Sequence, residues 1–264
     1  MDLHDICTFV IPFRIDSKER LRNLRFVLKW IEPLNATVIL LEADKQSKTN
    51  GLFTNANIKY TFVEDANPIF HRTHYINQTI EMAATEIVAV LDTDIIVRHS
   101  MIYEAIRNIT DYKHTIAYPY DTRFVYLSEE DTQLLMEDMD LTWLDQKDLP
   151  LLMNRPSCGG IYLAHKKRYL ALGGENERFI GWGPEDAERL RRVTIMGGKV
   201  SWTATGRAYH LSHPRHENSN YFNEDVATNL RLEFIKVCSM NKDELSAYIK
   251  VLNSAKHTRT LTQK

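Results

Sequence analysis

"EIVAVLDTD", residues 86–94, decides the architecture. Ile87 to Leu91 is an unbroken apolar run of strand length, the pattern of a strand buried on both faces of a parallel sheet. The run leads straight into Asp92-Thr93-Asp94, which places two carboxylates at the strand's carboxyl end, the edge where open α/β sheets bind ligands. Toward the N-terminus, "ICTFVIPF" (6–13), "ATVILLEAD" (36–44) and "IKYTFVE" (58–64) read as strands. Between the first two, Ser17 caps a helix carrying Leu21, Leu24, Leu28 and Ile31 at helical spacing, and "THYINQTIEMAA" (73–84) reads as a second helix. Alternating strands and helices predict an α/β domain with a mostly parallel central sheet and helices on both faces.

Toward the C-terminus, the acid-rich stretch from Ser128 to Asp148 reads as helical, an insertion or a lid. "GGIYLAHKKRYLALGG" (159–174) predicts a strand, a helix and a Gly-Gly stop. A further helix starts at Pro184 and ends at Gly197-Gly198, ahead of the strand-like "KVSWTATGRAYH" (199–210). We expect one catalytic domain over 1–238, with a nucleotide-binding half to about 98 and an acceptor half after it, and a basic tail or helix over 239–264.

At 264 residues, 44% hydrophobic, 26% charged and with a formal net charge of −2, the composition is that of a globular domain with a sizeable core. It carries no basic excess that would point to nucleic acid. Cys7, Cys158 and Cys238 stand far apart without a CxxC pair, which speaks against a zinc ribbon or a disulfide framework and for a reducing, cytoplasmic setting. No apolar run approaches the length of a membrane helix, and the N-terminus with Asp2, His4 and Asp5 carries no signal-peptide pattern. The basic tail leaves open a peripheral contact with an anionic membrane surface beside the reading as a solvated helix.

Three stretches carry chemistry. Asp92 and Asp94 are either turn residues or ligands, one facing a metal and the other a hydroxyl. "AYHLSHPRH" offers His210, His213 and His216, either solvent-facing or, with a carboxylate, a ligand set suited to Mn²⁺. "FIGWGPEDAERLRR" (179–192) opens a helix with Gly183 as cap, Pro184 in its first position, and Glu185 and Asp186 in the first turn. The helix dipole alone accounts for both acids, but not for Trp182, whose ring suits a sugar face.

These blocks, with "VIPFRIDSKERLRNL", "FHRTHYIN" and "CGGIYLAHKKRYLALGG", resemble in order the β-1,4-galactosyltransferase family and its bacterial relatives, including the galactosaminyl-transferring half of chondroitin synthases, over roughly residues 6 to 225. The resemblance implies a GT-A fold and an inverting, metal-dependent transfer of galactose or N-acetylgalactosamine from a UDP-sugar to a hydroxyl of a glycan or lipid-linked oligosaccharide, in bacterial surface-polysaccharide synthesis. It makes Pro12, Phe13, Arg14, Phe70, Arg72 and Asp92 nucleotide-binding, with Arg14 and Arg72 reaching the phosphates, and Asp94, His210 and His213 the Mn²⁺ ligands. Trp182, Glu185, Ser157 and Gly160 become sugar- or acceptor-binding and Asp186 the catalytic base. Pro184 where glycine is common and Ala187 in place of a third acid depart from the pattern. Ser157 stands where galactose-transferring members commonly carry a tyrosine; alternatively it only starts a strand. The polar stretch from Leu211 to about Asp225 is expected to be a lid ordered by the donor. A sugar-1-phosphate nucleotidyltransferase and a non-catalytic UDP-sugar or glycan-binding module remain the alternatives.

Overall fold

All seven residues of strand β1 (Cys7–Phe13) are buried, as are all five of β4 (Ile87–Leu91), because both lie in the middle of the sheet. The structure, a computed structural model, describes residues 2–152, 155–216 and 220–262. Helix α1 (Lys18–Ile31) leads from β1 to β2 (Thr37–Asp44), with the Ser17 hydroxyl accepting from the Arg20 N–H at 3.1 Å, the expected cap. Strand β3 (Ile58–Glu64) and helix α2 (Arg72–Met82) complete the N-terminal half before β4.

Next come β5 (Ile95–Ile96), α3 (His99–Thr110), β6 (Ile116–Tyr118), β7 (Phe124–Tyr126), α4 (Glu129–Asp138) and α5 (Thr142–Gln146). They are followed by β8 (Ile161–His165), α6 (Lys166–Ala171), α7 (Glu185–Ile195), β9 (Val200–Trp202), β10 (Ala208–His210), α8 (Glu224–Ser239) and α9 (Lys242–Thr262). The large sheet has seven strands in the order β3-β2-β1-β4-β8-β6-β9, parallel except for β8, which runs against β4 and β6. A smaller sheet, β5-β10-β7, pairs His210 with Ile95 and so lays β10 beside the segment that follows the acid turn. The Leu211 N–H donates to the Asp94 carbonyl at 2.8 Å and pins the two together.

One detail differs from the sequence reading. Pro184 is the cap of α7 and Glu185 its first residue, since the Glu188 N–H already reaches the Pro184 carbonyl at 2.9 Å. The expected lid from Leu211 to about Asp225 runs into α8 at Glu224, capped by the Asn223 side chain; within that stretch, residues 217–219 lie outside the described residues. The segment after Ser239 takes the helical alternative: α9 buries Leu245, Tyr248, Ile249 and Leu252 against Val237, with Ile195 of α7 and its C-cap Met196 packed on the same cluster. Among the described residues no helix is long and apolar enough to cross a membrane.

Candidate active site

β1 and β4 are sheet neighbours in register, Val10 opposite Val90, so their carboxyl ends deliver Pro12-Phe13-Arg14 and Asp92-Thr93-Asp94 to one edge. A cleft of about 970 Å³ opens there. Every residue assigned from the sequence lines it: Pro12, Phe13, Arg14, Phe70, Arg72, Asp92, Asp94, Ser157, Gly160, Trp182, Glu185, Asp186, His210 and His213.

At the β1 end, Phe70 stacks on Tyr75 with ring centroids 5.5 Å apart, and the Arg14 guanidinium lies 5.4 Å from the Phe70 centroid. Arg14 spends its donors on the Ala43 carbonyl (2.8 Å), the Asn67 carbonyl (2.7 Å) and Asp65 Oδ2 (2.8 Å). These bonds tie Arg14 to the 65–68 loop at the edge of the cleft. Arg72 is placed differently. Its Nε and Nη2 hold Asp92 Oδ1 at 3.1 and 2.5 Å, while its buried Nη1 has no hydrogen-bond partner among the described residues and lies 3.8 Å from Glu185 Oε1.

Asp94, His210 and His213 each turn a ligand atom inward, all within 4.8 Å of one another. His213 Nε2 is 3.1 Å from Asp94 Oδ2, and its Nδ1 lies 2.8 Å from the Pro214 carbonyl, so the ring is held with Nε2 turned to the carboxylate. The His210 ring stacks on Tyr126 with centroids 4.8 Å apart, and its buried Nδ1 has no partner among the described residues. Burial raises the Asp94 carboxyl, but His210, His213 and Arg20 outweigh it and hold the group below the usual carboxylate range; burial pushes His210 down. One carboxylate and two imidazoles are the donor set a borderline divalent ion takes. His216 is not in this group.

Further along the cleft stand the α7 acids. Glu185 is buried, with Oε2 unpartnered among the described residues, and burial plus the charge of Asp186 push its carboxyl up to about 8 against the pull of Arg72. The Asp186 side chain is about a third exposed, and its Oδ1 accepts from Arg189 Nη2 at 2.5 Å. Trp182 is 40% exposed and meets Tyr221 edge-on, centroids 4.8 Å apart.

Ser157 is buried; its N–H donates to the Thr122 carbonyl and its own carbonyl accepts from Trp202 Nε1 at 3.1 Å. Of the paired glycines, Gly159 and not Gly160 abuts Asp186. Gly160 has φ +77°, and a Cβ there would meet the Phe124 ring at 2.5 Å, so its glycine is required by backbone and packing.

Sequence reasoning missed Arg20, whose Nη1 holds Asp94 Oδ2 at 3.1 Å, the Arg189–Glu175 pair behind Asp186, and Trp202, stacked on Tyr118 at 4.9 Å. Arg20 was readable as a cation one helical turn past the Ser17 cap; nothing local marks the others.

A parallel-stranded half joined to a small sheet that carries two histidines to the acid turn of its central strand defines a GT-A glycosyltransferase. The chain belongs to the glycosyltransferase-like family 2, whose model matches residues 8–254. No curated protein matches the sequence. Among solved structures, that of GalNAc-T7 with UDP, GalNAc and Mn²⁺ superposes with a TM-score of 0.59 at 14% identity, over 92% of this chain and 49% of that one, so the chain spans about half its length. A mutant of Drosophila β1,4-galactosyltransferase 7 with manganese, UDP-Gal and xylobiose gives 0.50 at 14% identity, over 84% and 78%.

Proposed function

We propose that the protein moves a hexose, galactose or N-acetylgalactosamine, from a UDP-sugar to a hydroxyl of a glycan acceptor, with inversion at the anomeric carbon and with Mn²⁺ as cofactor. The observation that carries this is the sharing of one cleft by the Asp94–His210–His213 group and the Asp186 carboxylate, with only Oδ1 of Asp186 tied to Arg189. The ligands of the two superposed structures, UDP, GalNAc and Mn²⁺ in one and manganese and UDP-Gal in the other, support the donor and metal classes.

In this reading Pro12, Phe13 and Phe70 form the uridine end of the cleft, Arg72 and Arg20 stand near the diphosphate, and Asp94, His210 and His213 hold the ion. A bound divalent ion there neutralises the charge that builds on the departing diphosphate. Asp186 Oδ2 takes the proton of the acceptor hydroxyl while the oxygen's lone pair forms the bond to the anomeric carbon, and the bond to UDP breaks with its electron pair on the diphosphate. A neutral Glu185 can donate to a sugar hydroxyl, and Trp182 offers a ring face to the sugars.

The acceptor enters from the far arm of the cleft, where Ala187, Leu190, Arg191 and Thr194 form one face of α7 opposite Val200 and Trp202. From Asp186 to Thr194 that face runs about 12 Å at 1.5 Å per residue, longer than one sugar. A lipid-linked oligosaccharide of a bacterial surface polysaccharide fits such a groove, with the enzyme at the inner face of the membrane.

Incubation with Mn²⁺, a panel of UDP-sugars and oligosaccharide acceptors tests the proposal. UDP release with a new glycosidic product supports it, pyrophosphate chemistry indicates a nucleotidyltransferase, and binding without turnover indicates a non-catalytic module.

A further inference from the structure

Arg189 is costly to place: a guanidinium on the inner face of α7 with a side chain 0% exposed. One nitrogen, Nη2, donates to Asp186 Oδ1 at 2.5 Å and to the Cys158 carbonyl at 3.1 Å; the other, Nη1, donates to Glu175 Oε1 at 2.8 Å. The guanidinium plane lies 4.0 Å from the Tyr162 centroid. Glu175 is 1% exposed and also accepts from the Tyr162 and Tyr169 hydroxyls at 2.5 and 2.8 Å. Burial raises this carboxyl, but Arg189 and the tyrosines outweigh burial and hold it at about 2. An apolar side chain of similar volume would fill such a place at no loss of stability, since a buried ion pair rarely repays its desolvation. The three charges therefore call for another account.

We propose that Arg189 and Glu175 form a buried positioning pair for Asp186, an inference that rests on Asp186 being the base. Arg189, three residues along the helix and so on the same face, fixes one oxygen of a carboxylate that is otherwise free to rotate. The second oxygen is thereby left open to the cleft beside Gly159. A lone guanidinium in this place would weaken the base by favouring its ionised form. Glu175 compensates that charge from behind, so the pair orients Asp186 without adding net charge beside it. The other ionisable groups around Asp186 are Arg72 of α2, Asp92 after β4, Cys158, Glu185 of α7, and Tyr118 and Tyr120. Arg72 and Arg192 also face Glu175. The substitutions below change none of these.

The pH profile of kcat/KM for UDP release, measured on the full-length protein with Mn²⁺ and the donor it accepts, tests the pair. Glu175→Gln leaves Arg189 uncompensated, lowers the proton affinity of Asp186, and is expected to move the acid limb to lower pH with a fall in plateau rate. Arg189→Met removes the cation and is expected to move the same limb to higher pH. Because Arg189→Met alone strands a buried carboxylate and can fail to fold, the double variant Arg189→Met/Glu175→Gln is the control. It is expected to fold, to return the limb to within a few tenths of a pH unit of wild type, and to show kcat at least tenfold lower with donor KM within about twofold. An unmoved limb in Glu175→Gln, or a double variant with wild-type kcat, overturns the inference. Wild-type turnover in Asp186→Asn would instead remove the base assignment itself, so the two failures are told apart.

Discussion

Gly159 and Asp186 are packed so closely that a Cβ at position 159 would stand 2.4 Å from Asp186 Oδ2. The backbone at Gly159 is not in the left-handed region, so alanine fits the chain and the conflict lies wholly with the carboxylate. Asp186 cannot swing away cheaply, because Arg189 holds its other oxygen. We predict that Gly159→Ala folds with a Tm within a few degrees of wild type and loses at least about tenfold in kcat, with UDP affinity kept, since a displacement of about an ångström is costly to catalysis. Initial rates of UDP release beside a UDP titration check this; an unchanged kcat would mean that Asp186 Oδ2 is not the reacting oxygen.

Asp186→Asn keeps the size of the side chain and an oxygen for Arg189 but removes the proton acceptor. Turnover is expected to drop at least about a hundredfold, the scale of a positioned base, while UDP and Mn²⁺ binding persist. Turnover within a few fold of wild type would reduce Asp186 to a helix-terminus acid.

For the metal group, chelation is expected to abolish transfer, and Mn²⁺ to restore it better than Mg²⁺, because two of the three protein ligands are nitrogens. His213→Ala removes the imidazole whose Nε2 is 3.1 Å from Asp94 and is expected to weaken Mn²⁺ binding at least about tenfold, read directly by Mn²⁺ electron paramagnetic resonance. Full activity in chelator would dissolve the assignment of Asp94, His210 and His213 together.

The parts of the fold legible in the sequence are those whose signal is local. β1, β2 and β4 announce themselves as apolar runs, β3 as a half-exposed edge strand, and Ser17 as a cap, because burial in a parallel sheet and capping each leave a mark within a few residues. α3 carried Ile102, Ala105, Ile106 and Ile109 at helical spacing and was readable too, although the sequence reading passed over it. β5 and β7, two and three residues long, are too short to show a period, and they exist only because β10 pairs with both. The site divides in the same way. Asp94, His210, His213 and Asp186 stand in recognisable blocks, whereas the pairing of Arg189 with Glu175 and of Trp202 with Ser157 joins segments 14 and 45 residues apart and leaves no pattern within either.

Glu185 gives a prediction on stability. Its carboxyl is pushed up to about 8 in the fold from an ordinary value near 4.5. Between those values the folded protein keeps a proton that the unfolded chain has released, so this group makes stability fall as pH rises through that window. Glu185→Gln removes the dependence. In metal-free, donor-free protein the Tm of the variant minus that of wild type should be more positive at pH 8 than at pH 5. Equal differences at the two pH values would show that Glu185 is ionised in the fold.

Donor choice is the last prediction, and it turns on Ser157. The residue is buried on the cleft wall, fixed by the Thr122 carbonyl on one side and by the Trp202 indole on the other, so its backbone is not free to retreat from a larger side chain. Its neighbour two positions on, Gly159, touches Asp186, which places position 157 near the reacting centre. A serine there leaves space that a tyrosine ring would occupy, and an N-acetyl group on the donor sugar needs such space where a hydroxyl does not. The protein is therefore expected to use UDP-N-acetylgalactosamine at least as well as UDP-galactose, and Ser157→Tyr to shift the ratio toward galactose by about tenfold or more, the effect of one side chain's bulk on differential transition-state binding. Specificity constants for both donors on both proteins decide it. A strict galactose preference in the wild type, or a ratio that Ser157→Tyr leaves unchanged, would show that the N-acetyl group is read elsewhere in the cleft.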